Sequence, residues 1–121
     1  MQDAKKPVEK VWNFEAMMER MLQDQDMADI IIAHYLKDMP AQMKELNKCI
    51  NDKDINLVQN KSHSIKGAAA MIGAEAFGKI ASGIEKDAIN GDIDAIRVMQ
   101  GLLKEKYNEL EKLLTEYLKK Q

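Results

Sequence analysis

Apolar residues recur at intervals of three and four along four long segments of this chain, and no segment alternates with period two. The first spacing places side chains on one face of an α-helix, whereas strict alternation is typical of a half-buried β-strand. The long segments run from about Ala28 to Ile50, from 54 to 72, from Glu75 to Asn90, and onward from Asp92. This pattern predicts an all-α protein.

The segments between these helices are short and polar, which restricts how the helices can pack. Connections of about two to five residues join antiparallel neighbours, as in an up-down-up-down four-helix bundle. A short additional helix should follow the N-cap residue Asn13, stop at Asp24-Gln25-Asp26 and pack across one end of the bundle. We therefore expect a polar N-terminal extension over residues 1–12 and a single bundle domain over residues 13–121.

Each predicted helix has one apolar face, and these faces should meet in a single core. Gly73 is expected to end the third helix in a left-handed conformation, and Pro40 should bend the second. The residues expected on the apolar faces of the first two helices are Phe14, Met17, Met18, Met21 and Leu22 in the short one, and Ile32, Leu36, Met39, Met43, Leu46 and Ile50 in the second. Those expected in the third and fourth are Ile55, Val58, Ser62, Ile65, Ala69 and Ile72, and Phe77, Ile80, Ala81, Ile84 and Ala88. Those expected in the fifth are Ile96, Met99, Leu103, Leu110, Leu113 and Tyr117, with Leu102, Leu114 and Leu118 beside them.

Composition excludes several classes of protein. With 121 residues, 45% of them hydrophobic and 31% charged, the chain reads as one globular domain. Its net charge of -2 provides no overall field for nucleic acid or an anionic membrane. The absence of an 18-residue apolar run and of an apolar h-region argues against a membrane span and a secretory signal. A cytoplasmic location is the default expectation, and the single Cys49 agrees with a reducing compartment.

One histidine falls outside the expected core. His63 lies about 140° from the centre of the apolar face of the third helix, so its side chain should face water. Its neighbours one helical turn away are Gln59, Lys66, Gly67 and Ala70. Packing gives no reason for a glycine at position 67, where it costs about 1 kcal/mol relative to alanine. An exposed histidine beside a cation and a cleared flank indicates a functional site.

The string His63-Ser64-Ile65-Lys66-Gly67, with Gly73 six residues beyond the first glycine, resembles the signature of histidine-containing phosphotransfer (HPt) domains. The helix order is similar to that family over nearly the whole chain. The resemblance implies a histidine phosphocarrier in a multistep two-component phosphorelay. In that role His63 would accept a phosphoryl group from a receiver-domain aspartate and pass it reversibly to another.

The resemblance also implies the partners, which are receiver domains of response regulators or of hybrid histidine kinases. Such a receiver would supply the Mg²⁺ ion, so no cofactor is expected on this chain. We expect a monomer that binds neither nucleic acid nor membrane.

The chemistry of phosphoryl transfer assigns a role to each residue of the motif. Transfer to imidazole needs an uncharged ring nitrogen, space for in-line approach and positive charge near the phosphoryl oxygens. His63 would be the phosphoacceptor, Lys66 would stabilise the phosphoryl charge, and Gly67, continued by Ala70, would keep access open. Gln59 is a further candidate, for a hydrogen bond to the phosphoryl group or to the ring.

The sequence lacks the elements of a kinase or a metal site. It contains no Gly-x-x-x-x-Gly-Lys-Ser/Thr loop and no Gly-x-Gly-x-x-Gly loop, so the phosphoryl group should come from another protein rather than from bound nucleotide. His34 and Cys49 lie on one helix, about 22 Å apart at 1.5 Å per residue, and cannot share a zinc ion. We expect no enzyme activity of its own and no metal site.

Two other functions fit the same residues. The chain could be the phosphoacceptor domain of a larger, chemotaxis-type histidine kinase, whose motif is similar; a start at Met1 and an end at Gln121 without a linker favour a free-standing protein. Alternatively it could be a helical adaptor that is never phosphorylated. Met39 and Met71 are candidates for an exposed, adaptable surface near His63.

Overall fold

A computed structural model describes residues 9–121 and shows five α-helices. The helices are α1 (Phe14–Arg20), α2 (Gln25–Asn51), α3 (Ile55–Ile72), α4 (Glu75–Ile89) and α5 (Ile93–Lys119). Consecutive long helices pack against each other, and α5 returns to pack against α2, so the four form a closed ring. The prediction of an all-α, up-down-up-down four-helix bundle with a short additional N-terminal helix is confirmed.

Capping residues define both ends of α3, and its end at Gly73 is as predicted. The side chain of Asp54 accepts a hydrogen bond from the backbone N–H of Leu57 at 3.2 Å, which satisfies a free donor of the first turn. Gly73 closes α3 with φ of 80°, a left-handed conformation that glycine adopts without steric cost. A Cβ at position 73 would also collide with the backbone carbonyl oxygen of Asn13. The turn into α4 therefore requires glycine for two reasons, the left-handed backbone conformation and the close approach of Asn13.

The turn between α1 and α2 differs from the prediction. Leu22 and Gln23 have φ values of 54° and 61°, and Asp24 then caps α2 by accepting a hydrogen bond from the backbone N–H of Met27 at 3.0 Å. Because Asp24 starts a helix rather than only ending one, α2 begins at Gln25 instead of Ala28. Leu22, predicted on the apolar face of α1, has left that helix and is 87% exposed.

Most of the predicted apolar faces are buried in one core. Besides Leu22, the exceptions are Phe14 on α1, which is 38% exposed, and two leucines of α5. Leu102 and Leu113 are 44% and 41% exposed, whereas Tyr107, which was not predicted in the core, is buried. The inward face of α5 follows the helical repeat through residues 103, 107, 110 and 114. Position 113 therefore lies at the edge of that face. The predicted residues that are fully buried include Met17, Ile32, Leu46, Ile50, Val58, Ile65, Phe77, Ile84, Ile96, Leu103 and Leu110.

Residues 9–13 pack against the end of the bundle where α3 meets α4. Trp12 Nε1 donates a hydrogen bond to the carbonyl oxygen of Ile72 at 2.8 Å, and the backbone N–H of Ala76 donates to the carbonyl oxygen of Lys10 at 3.0 Å. Trp12 and Val11 are half-buried against the core. The described part of the predicted polar extension thus belongs to the bundle, while residues 1–8 of it lie outside the described residues. Within residues 9–121, no helix is long and apolar enough to cross a membrane.

Candidate functional site

The amphipathic character of α3 directs His63 into solvent. Ser62 and Ile65, on either side of it in sequence, are fully buried in the core. Ser62 is the only polar residue buried in the described part of the chain, and its hydroxyl donates back to the carbonyl oxygen of Val58 at 2.7 Å. The His63 side chain is 66% exposed. The outward orientation predicted from the sequence is therefore present.

A carboxylate on α4 joins His63 to Lys66. Glu85 Oε2 lies 2.8 Å from Nδ1 of His63, and Oε1 of the same carboxylate accepts a hydrogen bond from Nζ of Lys66 at 2.8 Å. The Glu85 side chain is only 16% exposed, because it lies in the groove between α3 and α4. One carboxylate thus holds both the histidine ring and the lysine ammonium.

This arrangement determines which ring nitrogen is available. The hydrogen bond from Lys66, and after it the hydrogen bond from His63, hold the pKa of Glu85 below its ordinary value, so this carboxylate is ionised at neutral pH. An ionised carboxylate can only accept hydrogen bonds, which places the proton of a neutral imidazole on Nδ1. Nε2 of His63 then carries the free lone pair, and it is the nitrogen able to act as a nucleophile.

The flank of His63 toward the carboxyl end of α3 is open. Gly67 is exposed, and a Cβ built there would meet no atom within 4 Å. Ala70, one turn further along, is also exposed. Side chains on a helix lean toward its amino terminus, so any longer side chain at position 67 would extend over the turn that carries His63. The glycine has no packing partner and leaves room for an approaching group.

Gln59 does not join this group. Its side chain is half-buried one turn before His63, and it makes no hydrogen bond with the ring or with another side chain among residues 9–121. His34 lies exposed on α2, away from the α3–α4 groove. The structure therefore brings together His63, Lys66 and Gly67 and leaves Gln59 to one side.

The sequence interpretation missed Glu85, although a signal for it was present. α3 and α4 are antiparallel and connected only by Gly73 and Ala74, so residues equally far from that turn lie at the same level. His63 and Glu85 each stand about eleven residues from the turn, roughly 16 Å along their helices. Counting residues from the turn would therefore have placed the Glu85 carboxylate opposite the imidazole of His63.

Of the two methionines proposed for a surface near His63, only one is exposed. Met39 is 1% exposed and belongs to the core, so its predicted place on the apolar face of α2 is confirmed and its candidacy for an exposed surface is wrong. Met71 is 50% exposed on α3, and Ile89, one turn beyond Glu85 on α4, is 62% exposed. Each of the two helices that carry the site thus also presents an exposed apolar side chain.

Within residues 9–121, no three side chains of the His, Cys, Asp and Glu types come close enough to hold a metal ion. Cys49 is buried against the core. The polar groups that the structure gathers at the site are the imidazole of His63, the carboxylate of Glu85 and the ammonium of Lys66.

Comparison with known proteins bears on the family and the fold. The model of the Hpt domain family matches residues 30–117. The fold is similar to the crystal structure of histidine-containing phosphotransfer protein B from Pseudomonas aeruginosa PAO1, with a TM-score of 0.86, 13% sequence identity, and coverage of 92% of this chain and 96% of that one. At that identity the likeness shows the fold alone. No curated protein matches the chain. Because the family model covers most of its length, the chain belongs to the Hpt domain family, the histidine phosphotransfer proteins of phosphorelays.

Proposed function

We propose that this chain carries a phosphoryl group on Nε2 of His63, which it receives from the phosphorylated aspartate of a receiver domain and delivers to the aspartate of another. The observation that carries the proposal is the hydrogen bond of Nδ1 to Glu85, which leaves Nε2 free on an exposed face of α3. Family membership supports the class of reaction, and the geometry supports the residue and the atom.

The transfer balances without any group beyond the two proteins. The Nε2 lone pair attacks the phosphorus of the aspartyl phosphate, the P–O bond to the carboxylate breaks, and the aspartate leaves as a free carboxylate. The imidazole keeps its proton on Nδ1 and gains positive charge, which the nearby Glu85 carboxylate stabilises. The reverse reaction on a second receiver restores the neutral ring, so transfer is reversible.

Lys66 and Gly67 have separate roles in this proposal. Lys66 Nζ lies on the Glu85 carboxylate, one helical turn from His63, from where its flexible side chain can reach the phosphoryl oxygens. Gly67 keeps the path to Nε2 open. The receiver would contribute the acceptor aspartate and the Mg²⁺ ion, which is why this chain needs no cofactor of its own.

A receiver would dock on the surface that surrounds His63, formed by α3 and α4. His63 lies on α3 and is bonded across to Glu85 on α4. Exposed Met71 and Ile89 provide apolar contact area beside the charged site. Flexible and branched apolar side chains on one surface suit binding to more than one receiver.

The test is incubation with a receiver domain carrying radiolabelled aspartyl phosphate. The wild-type chain should gain an acid-labile, base-stable label, His63→Gln should gain none, and the matched variant His34→Gln should label normally. Persistent labelling of His63→Gln would overturn the assignment. A chain that binds receivers without being labelled would be an adaptor, and one labelled only by a kinase catalytic domain with ATP would be part of a chemotaxis-type kinase.

The choice of nitrogen has its own readout. Imidazole ¹⁵N shifts of the unphosphorylated protein should show the Nδ1–H tautomer of His63 in the wild type. Glu85→Ala removes the acceptor, so the ring should become a mixture of tautomers and the label should transfer more slowly. An unchanged tautomer in Glu85→Ala would show that Glu85 does not position the ring.

A further inference from the structure

A second open region lies between α2 and α5, on the side of the bundle opposite the α3–α4 groove. The cavity there has a volume of about 610 Å³, within the range that holds small-molecule ligands. Its base is apolar, formed by half-buried Met43 together with buried Leu103 and Tyr107. The space is therefore large enough for a ring system.

Positive charge surrounds this apolar base. Lys44, Arg97 and Lys104 line the cavity against a single acidic residue, Glu111, although the chain as a whole has a net charge of -2. None of these three cations forms an ion pair within the described part of the chain, in contrast to Lys66, which is paired with Glu85. Unpaired cations around a concave surface attract anions.

An unexplained glycine also lines the cavity. Gly101 lies in the interior of α5, is exposed, and would have no atom within 4 Å of an added Cβ. Neither a turn nor a close contact requires it, and in a helix interior it costs about 1 kcal/mol relative to alanine. Because helical side chains lean toward the amino terminus, a longer residue at 101 would cover the turn that carries Arg97. The glycine keeps the opening of the cavity clear.

A pair of amides crosses from one helix to the other at the cavity wall. Gln100 Nε2 on α5 donates a hydrogen bond to Asn47 Oδ1 on α2 at 2.7 Å. Gln100 keeps one N–H and its carbonyl oxygen unused by this bond, and Asn47 keeps both N–H groups. The wall therefore offers neutral hydrogen-bonding groups as well as charge.

We propose that the groove between α2 and α5 is a binding site for a small organic anion with an apolar ring. Its ring would lie on Met43, Leu103 and Tyr107, and its anionic group would meet Arg97 and Lys104. The site contains no nucleophile, so binding there is non-covalent and separate from the phosphoryl transfer at His63.

The experiment uses 8-anilinonaphthalene-1-sulfonate, which combines aromatic rings with one sulfonate, and follows backbone amide shifts of the full chain. Titration should move the amides of residues 43–47 and 97–108 together, with saturation at one equivalent. The uncharged N-phenyl-1-naphthylamine should bind at least tenfold more weakly. Shifts that do not saturate, or that map to another surface, would overturn the proposal.

Matched variants test the positive charge of Lys104 and the clearance that Gly101 provides at the opening of the groove. Lys104→Glu should weaken binding at least tenfold, whereas Lys119→Glu, the same change on the same helix outside the groove, should leave it unchanged. Gly101→Leu should also weaken binding at least tenfold while keeping the amide spectrum of the folded bundle. Equal binding by Lys104→Glu and the wild type would contradict the site. Labelling of His63 should be normal in all three variants, which separates this result from the phosphocarrier proposal.

Discussion

The two grooves of this bundle are built from similar parts and differ in how their charges are arranged. Each has an exposed glycine in a helix interior with open space beside it, Gly67 on α3 and Gly101 on α5. In the α3–α4 groove the lysine is paired with Glu85, and that carboxylate also holds the histidine ring. In the α2–α5 groove the cations line a cavity without an ion pair among the described residues.

With His63 as the proposed phosphoacceptor, the difference is what suits one of two open surfaces to covalent transfer. Positive charge and clearance are common to both grooves, so they cannot by themselves produce chemistry. The α3–α4 groove adds a nucleophilic nitrogen whose proton position is set by a carboxylate held at 2.8 Å. Orientation of the reacting atom is what a rigid helix pair contributes to catalysis.

The largest expected difference between the grooves comes from replacing Gly67 and Gly101, each in turn, by glutamine. Gly67→Gln should slow phosphoryl transfer to His63 at least a hundredfold, because the new side chain would stand over the imidazole. Gly101→Gln should leave transfer unchanged. Both variants should gain about 0.5–1 kcal/mol in the free energy of unfolding, since an open helical glycine is replaced. Transfer rates and urea unfolding check this, and normal transfer by Gly67→Gln would refute the steric role of that glycine.

A smaller difference in transfer rate should follow from removing one lysine ammonium from each groove in turn. Lys66→Ala should slow transfer by about tenfold to a hundredfold, because a charge that stabilises the phosphoryl oxygens is lost. Lys104→Ala should transfer at the wild-type rate. Rapid-quench kinetics at several receiver concentrations would separate the transfer step from docking. If the loss in Lys66→Ala appeared only in docking affinity, Lys66 would be a contact residue rather than a charge stabiliser.

The smallest effect concerns stability against pH. Because the folded-state pKa of Glu85 is lowered, its hydrogen bonds to Lys66 and His63 stabilise the fold above the ordinary pKa of a glutamate, and this contribution is lost as pH falls through the folded-state value. Glu85→Gln should therefore cost about 1 kcal/mol of unfolding free energy at pH 7 and less in acid.

Urea unfolding at both pH values measures this difference. The matched change in the other groove, Glu111→Gln, should alter stability by less than about 0.5 kcal/mol at neutral pH, because Glu111 has no ion pair to lose among the described residues. A cost for Glu85→Gln that stayed the same in acid would show that its charge does not stabilise the fold.

Helical periodicity predicted most of the fold and the direction of the site. The spacing of Val58, Ser62 and Ile65 placed one face of α3 in the core, and from that alone His63 had to face solvent. The adjacency of Lys66 and Gly67 to His63 also followed, because residues three and four apart lie one turn away on any helix. These are local properties, set by the geometry of a single element.

The sequence predicted less well which side chains are buried between neighbouring helices. The outward side of Leu113 and the burial of Tyr107 depend on how α5 is rotated against its neighbours. A side chain at the edge of an apolar stripe is buried or exposed by a small rotation of the helix, which periodicity does not resolve. The early start of α2 had a different cause, since Asp24 serves as a cap for the helix that follows it.

By itself, the sequence determined an all-α bundle, an exposed His63, and the cation and glycine one turn from it. Only the tertiary structure decided that Glu85 bonds to Nδ1, which leaves Nε2 free for the proposed transfer, and that α2 and α5 leave a cation-lined cavity between them. The physical reason is the range of the interactions. Positions along one helix follow from its repeat, whereas a hydrogen bond between helices depends on their register, rotation and separation, which are set by packing of the whole core.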